Sequence, residues 1–175
     1  GFYTVDEGEQ ALVIRFGKYE RTAGTGLNYH LPEPIERIIK EKVETLRKEE
    51  IGFRTRSSSK NTYGNNNYNA NSASNVAQES LMLTGDENII DINFIAQWKI
   101  SNLKDYVFNI YNSRETVRSV AESSMREVIG TTSIDKAITD GRSSIESETK
   151  DLVQKILNSY KSGVEITTLK LLKTD

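Results

Sequence analysis

One stretch of the sequence has a strict two-residue period, and it decides the class of fold. It reads Ile89-Ile90-Asp91-Ile92-Asn93-Phe94-Ile95-Ala96-Gln97-Trp98-Lys99-Ile100. From Ile90 onward every second residue is apolar, and the residues between are mostly polar. Because successive side chains of a strand point to opposite faces of its sheet, this pattern predicts a strand with one face on a core and the other toward solvent.

The chain before this strand has the features of further strands. Residues 81–83 are apolar, and the turn-rich residues 84–88 connect them to the long strand, which predicts a hairpin. Residues 10–16 are rich in β-branched side chains and are followed by Gly17, so they too predict a strand. The alternation of apolar and polar residues over 27–31, before Pro32, predicts a half-buried extended segment.

Two stretches between these strands have other patterns. Residues 35–53 carry apolar side chains at helical spacing with Glu and Lys between them, so on pattern alone we predict a helix there. Residues 57–78 are rich in Asn and Ser, and Lys60 is their only charge. Such a segment cannot bury enough apolar surface to offset its ordering entropy. We therefore predict a flexible, solvated insertion, and a binding role for it is the less favoured alternative.

The second half of the chain is predicted to be helical. A short helix is expected at 103–110, followed by an amphipathic stripe over 117–129 that Gly130 should end. A longer stripe over 134–160 contains Gly141, which marks a break within it. Residues 164–171 predict a last strand, and its apolar phase shifts near Thr167, which indicates a bulge. Strands, then helices, then one strand predict an α+β domain.

The composition excludes several classes of function. The chain has no cysteine, which rules out disulfides, zinc–thiolate sites and cysteine nucleophiles within it. Its formal net charge is -2, and no basic stripe is present that would follow a phosphate backbone, so we predict no nucleic-acid partner. No apolar stretch in the sequence is long enough to span a bilayer.

A search for catalytic, cofactor-binding or metal-ligating residues gives no strong candidate. For each residue considered, a structural role is the better explanation. His30 is the only histidine, and we interpret it as a packing or surface residue rather than a general base. Gly24 and Gly26 alone do not make a phosphate-binding loop. Asp86 and Glu87 are interpreted as solvated turn carboxylates. Trp98 lies on the apolar phase of its strand, so we predict that it packs in the core.

Several motifs together resemble the SPFH (stomatin/prohibitin/flotillin) family. They follow one another along nearly the whole chain as Gly1-Phe2-Tyr3-Thr4-Val5-Asp6-Glu7-Gly8-Glu9-Gln10, Val13-Ile14-Arg15-Phe16-Gly17-Lys18-Tyr19, Gly26-Leu27-Asn28-Tyr29-His30-Leu31-Pro32, Pro34-Ile35-Glu36, Met82-Leu83-Thr84-Gly85-Asp86-Glu87-Asn88-Ile89, Gln97-Trp98, Arg126-Glu127-Val128-Ile129-Gly130, Gly141-Arg142 and Gly163-Val164-Glu165-Ile166. No single motif suffices, and the set is specific. Within the family, the details resemble one of the two subunit types of the bacterial complex that regulates the FtsH membrane protease.

The resemblance implies a fold and an organisation of the chain. It implies an SPFH domain with a mainly antiparallel sheet, helices packed on it and a final strand. It also implies a strand over residues 38–51, against the helix that the pattern predicts. We expect a β-rich subdomain at 1–112, which contains the 57–78 insertion, and a helical subdomain at 113–175 that ends in a short strand.

The resemblance also implies a function and partners. It implies a non-catalytic scaffold, without cofactor or metal, on the periplasmic side of the bacterial inner membrane. A membrane anchor is expected before Gly1 and an oligomerisation region after Asp175. The implied partners are the FtsH protease, an HflC-like subunit and further copies of the same chain. The alternative is a stomatin-like module that organises membrane lipids without a protease.

Overall fold

The strand predicted from the two-residue period is present and lies inside the largest sheet. The computed structural model describes residues 1–56, 81–84, 89–131 and 134–172. The predicted insertion at 57–78 and the turn carboxylates Asp86 and Glu87 lie outside the described residues. The strands are β1 (Phe2–Val5), β2 (Glu9–Arg15), β3 (Lys18–Ala23), β4 (Gly26–Tyr29), β5 (Glu36–Lys42), β6 (Arg47–Arg56), β7 (Leu81–Thr84), β8 (Ile89–Ile100) and β9 (Val164–Leu171). The helices are α1 (Leu103–Asn109), α2 (Ser113–Thr131) and α3 (Ile134–Ser159).

Among the described residues, all strand pairings are antiparallel, and they form three sheets. In the largest sheet β6 pairs with β8 along one edge, while β7 and β9 share the other edge of β8. A second sheet has the order β3-β2-β5, and β1 pairs with β4 in a two-stranded sheet. The last strand of the chain, β9, therefore joins the sheet built by the first half.

The core lies against one face of β8. Ile92, Phe94, Ala96, Trp98 and Ile100 are buried, and the alternate residues of β8 are partly exposed. The buried cluster continues into apolar residues of α2 and α3, so the helices cover this face of the sheet. The predicted α+β fold, with helices packed on an antiparallel sheet and a final strand, is confirmed.

The helix predicted from the pattern of residues 35–53 is wrong. Most of the stretch forms β5 and β6, separated by a turn, so the strand implied by the family resemblance is confirmed in type but is interrupted. The physical reason is pairing. β5 aligns with β2 over Glu36–Lys42, and β6 aligns with β8 over Arg47–Arg56. Such long-range ladders override the modest helix propensity of Glu and Lys, which amounts to a few tenths of a kcal/mol per residue.

Local predictions in the second half agree with the structure in three of four places. The break in α3 is at Gly141, whose φ of 72° and ψ of -165° are not helical. The bulge in β9 is at Thr167, because Trp98 pairs with Ile166 and Gln97 pairs with Thr168. The short helix predicted at 103–110 is α1. The predicted stop at Gly130 is wrong, since α2 continues to Thr131.

The two faces of β8 should differ sharply in their tolerance to truncation. Phe94 is 0% exposed, so Phe94→Ala should lower the free energy of unfolding by about 3–5 kcal/mol through lost burial and a cavity. Asn93→Ala, on the partly exposed face, should cost far less. Urea unfolding monitored by circular dichroism measures both values. Equal losses for the two variants would contradict the assignment of the faces.

Candidate functional site

The two-stranded sheet of β1 and β4 has one face on the body of the domain. Tyr3 and Val5 point inward and pack against a small cluster that contains Ala11, Ala23 and Ile38. Val5 is buried. The hydroxyl of Tyr3 is buried without a hydrogen-bond partner in the described part of the chain. Burial raises the pKa of the Tyr3 phenol above its usual value.

The other face of this sheet is apolar and exposed. Phe2 pairs directly with Tyr29, and their rings meet edge to face at a centroid distance of 5.3 Å. Leu27 follows on the same face. Phe2 is 74% exposed, Leu27 69% and Tyr29 52%. We call Phe2, Leu27 and Tyr29 the apolar face. The prediction that residues 27–31 bury their apolar side is wrong for Leu27 and Tyr29, since β4 pairs with β1 and buries its opposite side.

Cations lie at both edges of the two-stranded sheet. The Arg21 guanidinium donates to the carbonyl oxygen of Tyr29 in β4 at 2.7 Å. The Lys40 ammonium donates to the carbonyl oxygen of Thr4 in β1 at 3.1 Å. An exposed apolar patch with a polar rim is typical of a surface that contacts a membrane or another protein. Positive charge at the rim favours an anionic surface.

A buried carboxylate holds this sheet to the rest of the domain. Glu36, at the start of β5, is 1% exposed. One of its oxygens accepts hydrogen bonds from Arg15 and Arg21, each at 3.2 Å. The other accepts from the backbone N–H of Leu31 at 2.6 Å. Since Arg21 also bonds to Tyr29, Glu36 links β2, β3, β5 and the end of β4. We call Glu36, Arg15 and Arg21 the Glu36 cluster.

The electrostatics of the Glu36 cluster stabilise the ionised carboxylate. The pKa of Glu36 lies below its usual value, first because the backbone N–H of Leu31 bonds to the charged form, and then because Arg21 and Arg15 do so, while burial acts in the opposite direction. The group therefore remains a fixed anion at neutral pH. A general acid or base needs a pKa near the working pH, so Glu36 serves structure rather than proton transfer.

A second buried carboxylate is neutralised in the same way. Glu49 in β6 is 3% exposed, and its carboxylate lies 2.7 Å from Arg114 near the start of α2.

Glu146 in α3 differs from these two carboxylates, because burial raises its pKa, while Arg142 and Lys170 act in the opposite direction. Arg142, whose Nε lies 3.5 Å from the Glu146 carboxylate, also donates to the carbonyl oxygen of Leu171 in β9. These contacts hold helices to the sheet.

The residues weighed as catalytic candidates that lie in the described part of the chain have structural contacts. The ring of His30 packs beside Tyr3 at 5.4 Å, and its Nδ1 lies 2.7 Å from the carbonyl oxygen of Leu31. Trp98 is buried beneath Arg47, as predicted for a core residue. Gly26 has a φ of 121° at the start of β4.

Neither a metal site nor a membrane span is found in the described residues. No group of three or more metal-ligating side chains occurs there. None of the described helices combines the length and the apolar character needed to cross a bilayer.

Sequence reasoning missed the Glu36 cluster. Its one signal is an acid two residues after Pro34, within a motif quoted for the family resemblance. The two arginines that meet Glu36 come from β2 and β3, 21 and 15 residues away in sequence. Only the pairing of β2 with both β3 and β5 brings the three side chains together.

Comparison with known proteins identifies the family. The SPFH domain / Band 7 family matches residues 3–175. The chain belongs to this family. The resemblance inferred from the sequence motifs is confirmed, and with it the SPFH domain as the fold of the chain.

Several HflK proteins are similar to the chain. The chain is 34% identical to Protein HflK of Treponema pallidum over 165 residues, which cover 93% of this chain and 48% of that protein. It is 30% identical to Protein HflK of Borreliella burgdorferi, over 97% of this chain and 51% of that protein. It is 26% identical to the Modulator of FtsH protease HflK of Escherichia coli, over 95% of this chain and 33% of that protein. The chain thus spans about a third to a half of these relatives.

Removing the charge of Glu36 should weaken the fold in a pH-dependent way. Because folding lowers the pKa of Glu36 from its usual 4.5, the ionised group stabilises the fold fully above that pH. The stabilisation is lost as the pH falls through the lower pKa of the folded state. Glu36→Gln should therefore be less stable than wild type at pH 7, and the difference should shrink below pH 4.5.

Urea unfolding at a series of pH values measures this difference. Glu44→Gln is the matched control, because Glu44 is exposed and should give wild-type stability at pH 7. A stability difference between wild type and Glu36→Gln that stays constant from pH 7 to the acid range would contradict the role of the Glu36 charge.

Proposed function

We propose that the chain is the SPFH domain of a non-catalytic scaffold subunit in an HflK/HflC-type complex that encloses and regulates the FtsH membrane protease. The similarity to HflK proteins supports this, one of which is named as a modulator of FtsH protease. The single structural observation that carries the proposal is the apolar face of Phe2, Leu27 and Tyr29, with its rim of Arg21 and Lys40.

In this proposal the apolar face lies against a bilayer. Aromatic and aliphatic side chains bury favourably at the boundary of headgroups and acyl chains, and cations beside them are attracted to anionic lipids. The domain would then sit on the periplasmic side of the bacterial inner membrane. The Glu36 cluster fixes the apolar face relative to β2 and β5, so that contact with the membrane orients the body of the domain.

The proposed mechanism is steric. Copies of the domain, alternating with an HflC-like subunit, form a wall around FtsH and control which membrane proteins reach it. The described residues support a role without chemistry, because the two buried carboxylates, Glu36 and Glu49, are ion-paired with arginines. We further propose that residues 1–112 act as the membrane-facing subdomain and residues 113–175 as the helical one.

The second candidate is a stomatin-like module that organises lipids without a protease. The apolar face favours it equally, since that surface needs only a membrane. The full-length protein, tagged and extracted from its own membranes in mild detergent, separates the two. Co-purification of FtsH and an HflC-like subunit is expected under the proposed function. Their absence, with the protein intact and membrane-bound, would reject it in favour of the lipid module.

Contact of the apolar face with the bilayer can be measured residue by residue. A single cysteine at Tyr29→Cys in the full-length protein, labelled with a polarity-sensitive fluorophore in nanodiscs, should show blue-shifted emission, because interfacial apolar faces are buried roughly 5–10 Å into the boundary of headgroups and acyl chains. Tyr111→Cys is the matched control, because Tyr111 is 95% exposed but lies between α1 and α2. Identical emission from both positions would contradict the membrane contact.

A further inference from the structure

The last strand, β9, has one edge without a partner strand in the described part of the chain. It pairs with β8 along one side, and no described strand pairs with its other side, which we call the outer edge of β9. An open edge presents backbone N–H and C=O groups that can pair with another extended chain. The groups that meet the outer edge in the structure therefore indicate what it can bind.

The direction of the backbone groups follows from the hydrogen bonds at the two ends of β9. The carbonyl oxygen of Gly163, just before the strand, accepts from the N–H of Ser101 at 2.7 Å. The N–H of Leu172, just after the strand, donates to the carbonyl oxygen of Asn93 at 2.8 Å. Both residues thus face β8. Because the direction alternates along a strand, the first and the last residue of β9 direct their backbone groups to the outer edge.

A side-chain amide of α3 occupies one part of the outer edge. The Nε2 of Gln154 donates to the carbonyl oxygen of Val164 at 2.9 Å, and its Oε1 accepts from the N–H of Ile166 at 2.8 Å. The Nε2 also donates to the Oδ1 of Asn158 at 2.9 Å. A carbonyl oxygen only accepts and a backbone N–H only donates, so these partners fix the orientation of the amide. Gln154 therefore gives β9 one donor and one acceptor, as the backbone of a neighbouring strand would.

The far end of the outer edge is also met by a side chain of α3. Arg142 donates to the carbonyl oxygen of Leu171 at 2.8 Å. Two residues earlier, Leu169 directs its backbone groups the same way, and no hydrogen bond to them from outside the sheet is found among the described residues. The outer edge is thus held at its two ends by side chains rather than by a strand.

The side chains that reach the outer edge come from one row along α3. Arg142, Gln154 and Asn158 lie at four-residue spacing in a row of partly or fully exposed side chains. The buried row lies one residue further along, at Ile145, Thr149, Val153 and Leu157. Residues at four-residue spacing share a helix face, so the buried row packs on the core and the polar row lies beside the edge. Rotation of Gln154 and Arg142 would uncover the edge while the buried row stays packed.

We propose that the outer edge of β9 is a docking site for an extended polypeptide segment, which displaces the Gln154 amide and adds a strand to the largest sheet. The occupant is identified by the group that it replaces. Gln154 presents to Val164 and Ile166 an amide, which is the group that a peptide backbone carries. Strand addition takes its affinity from main-chain hydrogen bonds, so the site accepts many sequences without proline, which cannot donate.

Gln154 makes the site self-competing. An incoming segment must break both hydrogen bonds between Gln154 and β9 before its own backbone can take their place. The free protein therefore binds such segments weakly, and loss of the Gln154 amide strengthens binding. The proposal does not rest on the scaffold role or on contact with a membrane.

Photo-crosslinking to a peptide tests the site. The probe is a short peptide of alternating threonine and valine with a photoreactive group at its amino terminus, added to the full-length protein. Gln154→Ala should capture about tenfold more peptide than wild type, because two competing hydrogen bonds are lost. Mass spectrometry should place the crosslinks within residues 164–171 or on the polar row of α3.

Lys155→Ala is the matched control. Lys155 is the next residue of α3 and is exposed, but it lies outside the polar row, so this variant should capture as much peptide as wild type. Circular dichroism verifies that each variant is folded. Amide hydrogen exchange at Ile166 should be faster in Gln154→Ala than in the other two proteins, which shows that the edge has been uncovered.

Three results would overturn the proposal. The first is equal peptide capture by wild type and by Gln154→Ala when exchange at Ile166 has become faster. The second is a set of crosslinks that map to β6 instead of β9. The third is a dimer of Gln154→Ala without peptide capture, which would make a second copy the occupant. Co-purification of FtsH enters none of these results, so they are distinguishable from the test of the proposed function.

Discussion

The structure depends on β8 having a partner strand along both of its edges. A central strand with unpaired backbone groups on a buried side would lose several hydrogen bonds at once. β6 satisfies one edge, and β9 satisfies much of the other from Phe94 to Ile100. Because β9 follows β8 only after residues 101–163, the chain must leave the sheet and return to it. The three described helices lie between β8 and β9 in sequence, and they cover the apolar face of β8.

The smaller sheets are held by charge as well as by apolar burial. A buried carboxylate is costly unless hydrogen bonds and cations compensate its lost hydration. Glu36 receives both, from Leu31 and from two arginines on neighbouring strands. Those donors reach Glu36 only when β2, β3 and β5 are in register and residue 31 lies beside them. The cluster therefore specifies one arrangement of the strands that carry the apolar face, where apolar contacts alone would tolerate several.

The features that sequence predicts correctly are those fixed by local physics. Short stretches of sequence are enough to show the two-residue period of β8, the conformational freedom of Gly141 and the phase shift at Thr167. The features that it misses depend on partners distant in sequence. Residues 35–53 have apolar side chains at helical spacing, yet most of them form strands because they pair with β2 and β8. Leu27 and Tyr29 alternate with polar residues, as in a half-buried strand. Which face of β4 is buried is nevertheless determined by its pairing with β1 and by the residues beneath the two strands. The Glu36 cluster likewise exists only after three strands have paired.

The surfaces left after folding favour assembly over chemistry. Catalytic groups are usually recognised by pKa values moved toward the working pH in a cleft, whereas the pKa of Glu36 is lowered, so that it is ionised at neutral pH, and Glu49 is paired with Arg114. What remains unsatisfied in the described residues is of another kind, namely an apolar face on β1 and β4 and an open backbone edge on β6. The proposed scaffold role rests on the first of these surfaces, the apolar face of β1 and β4.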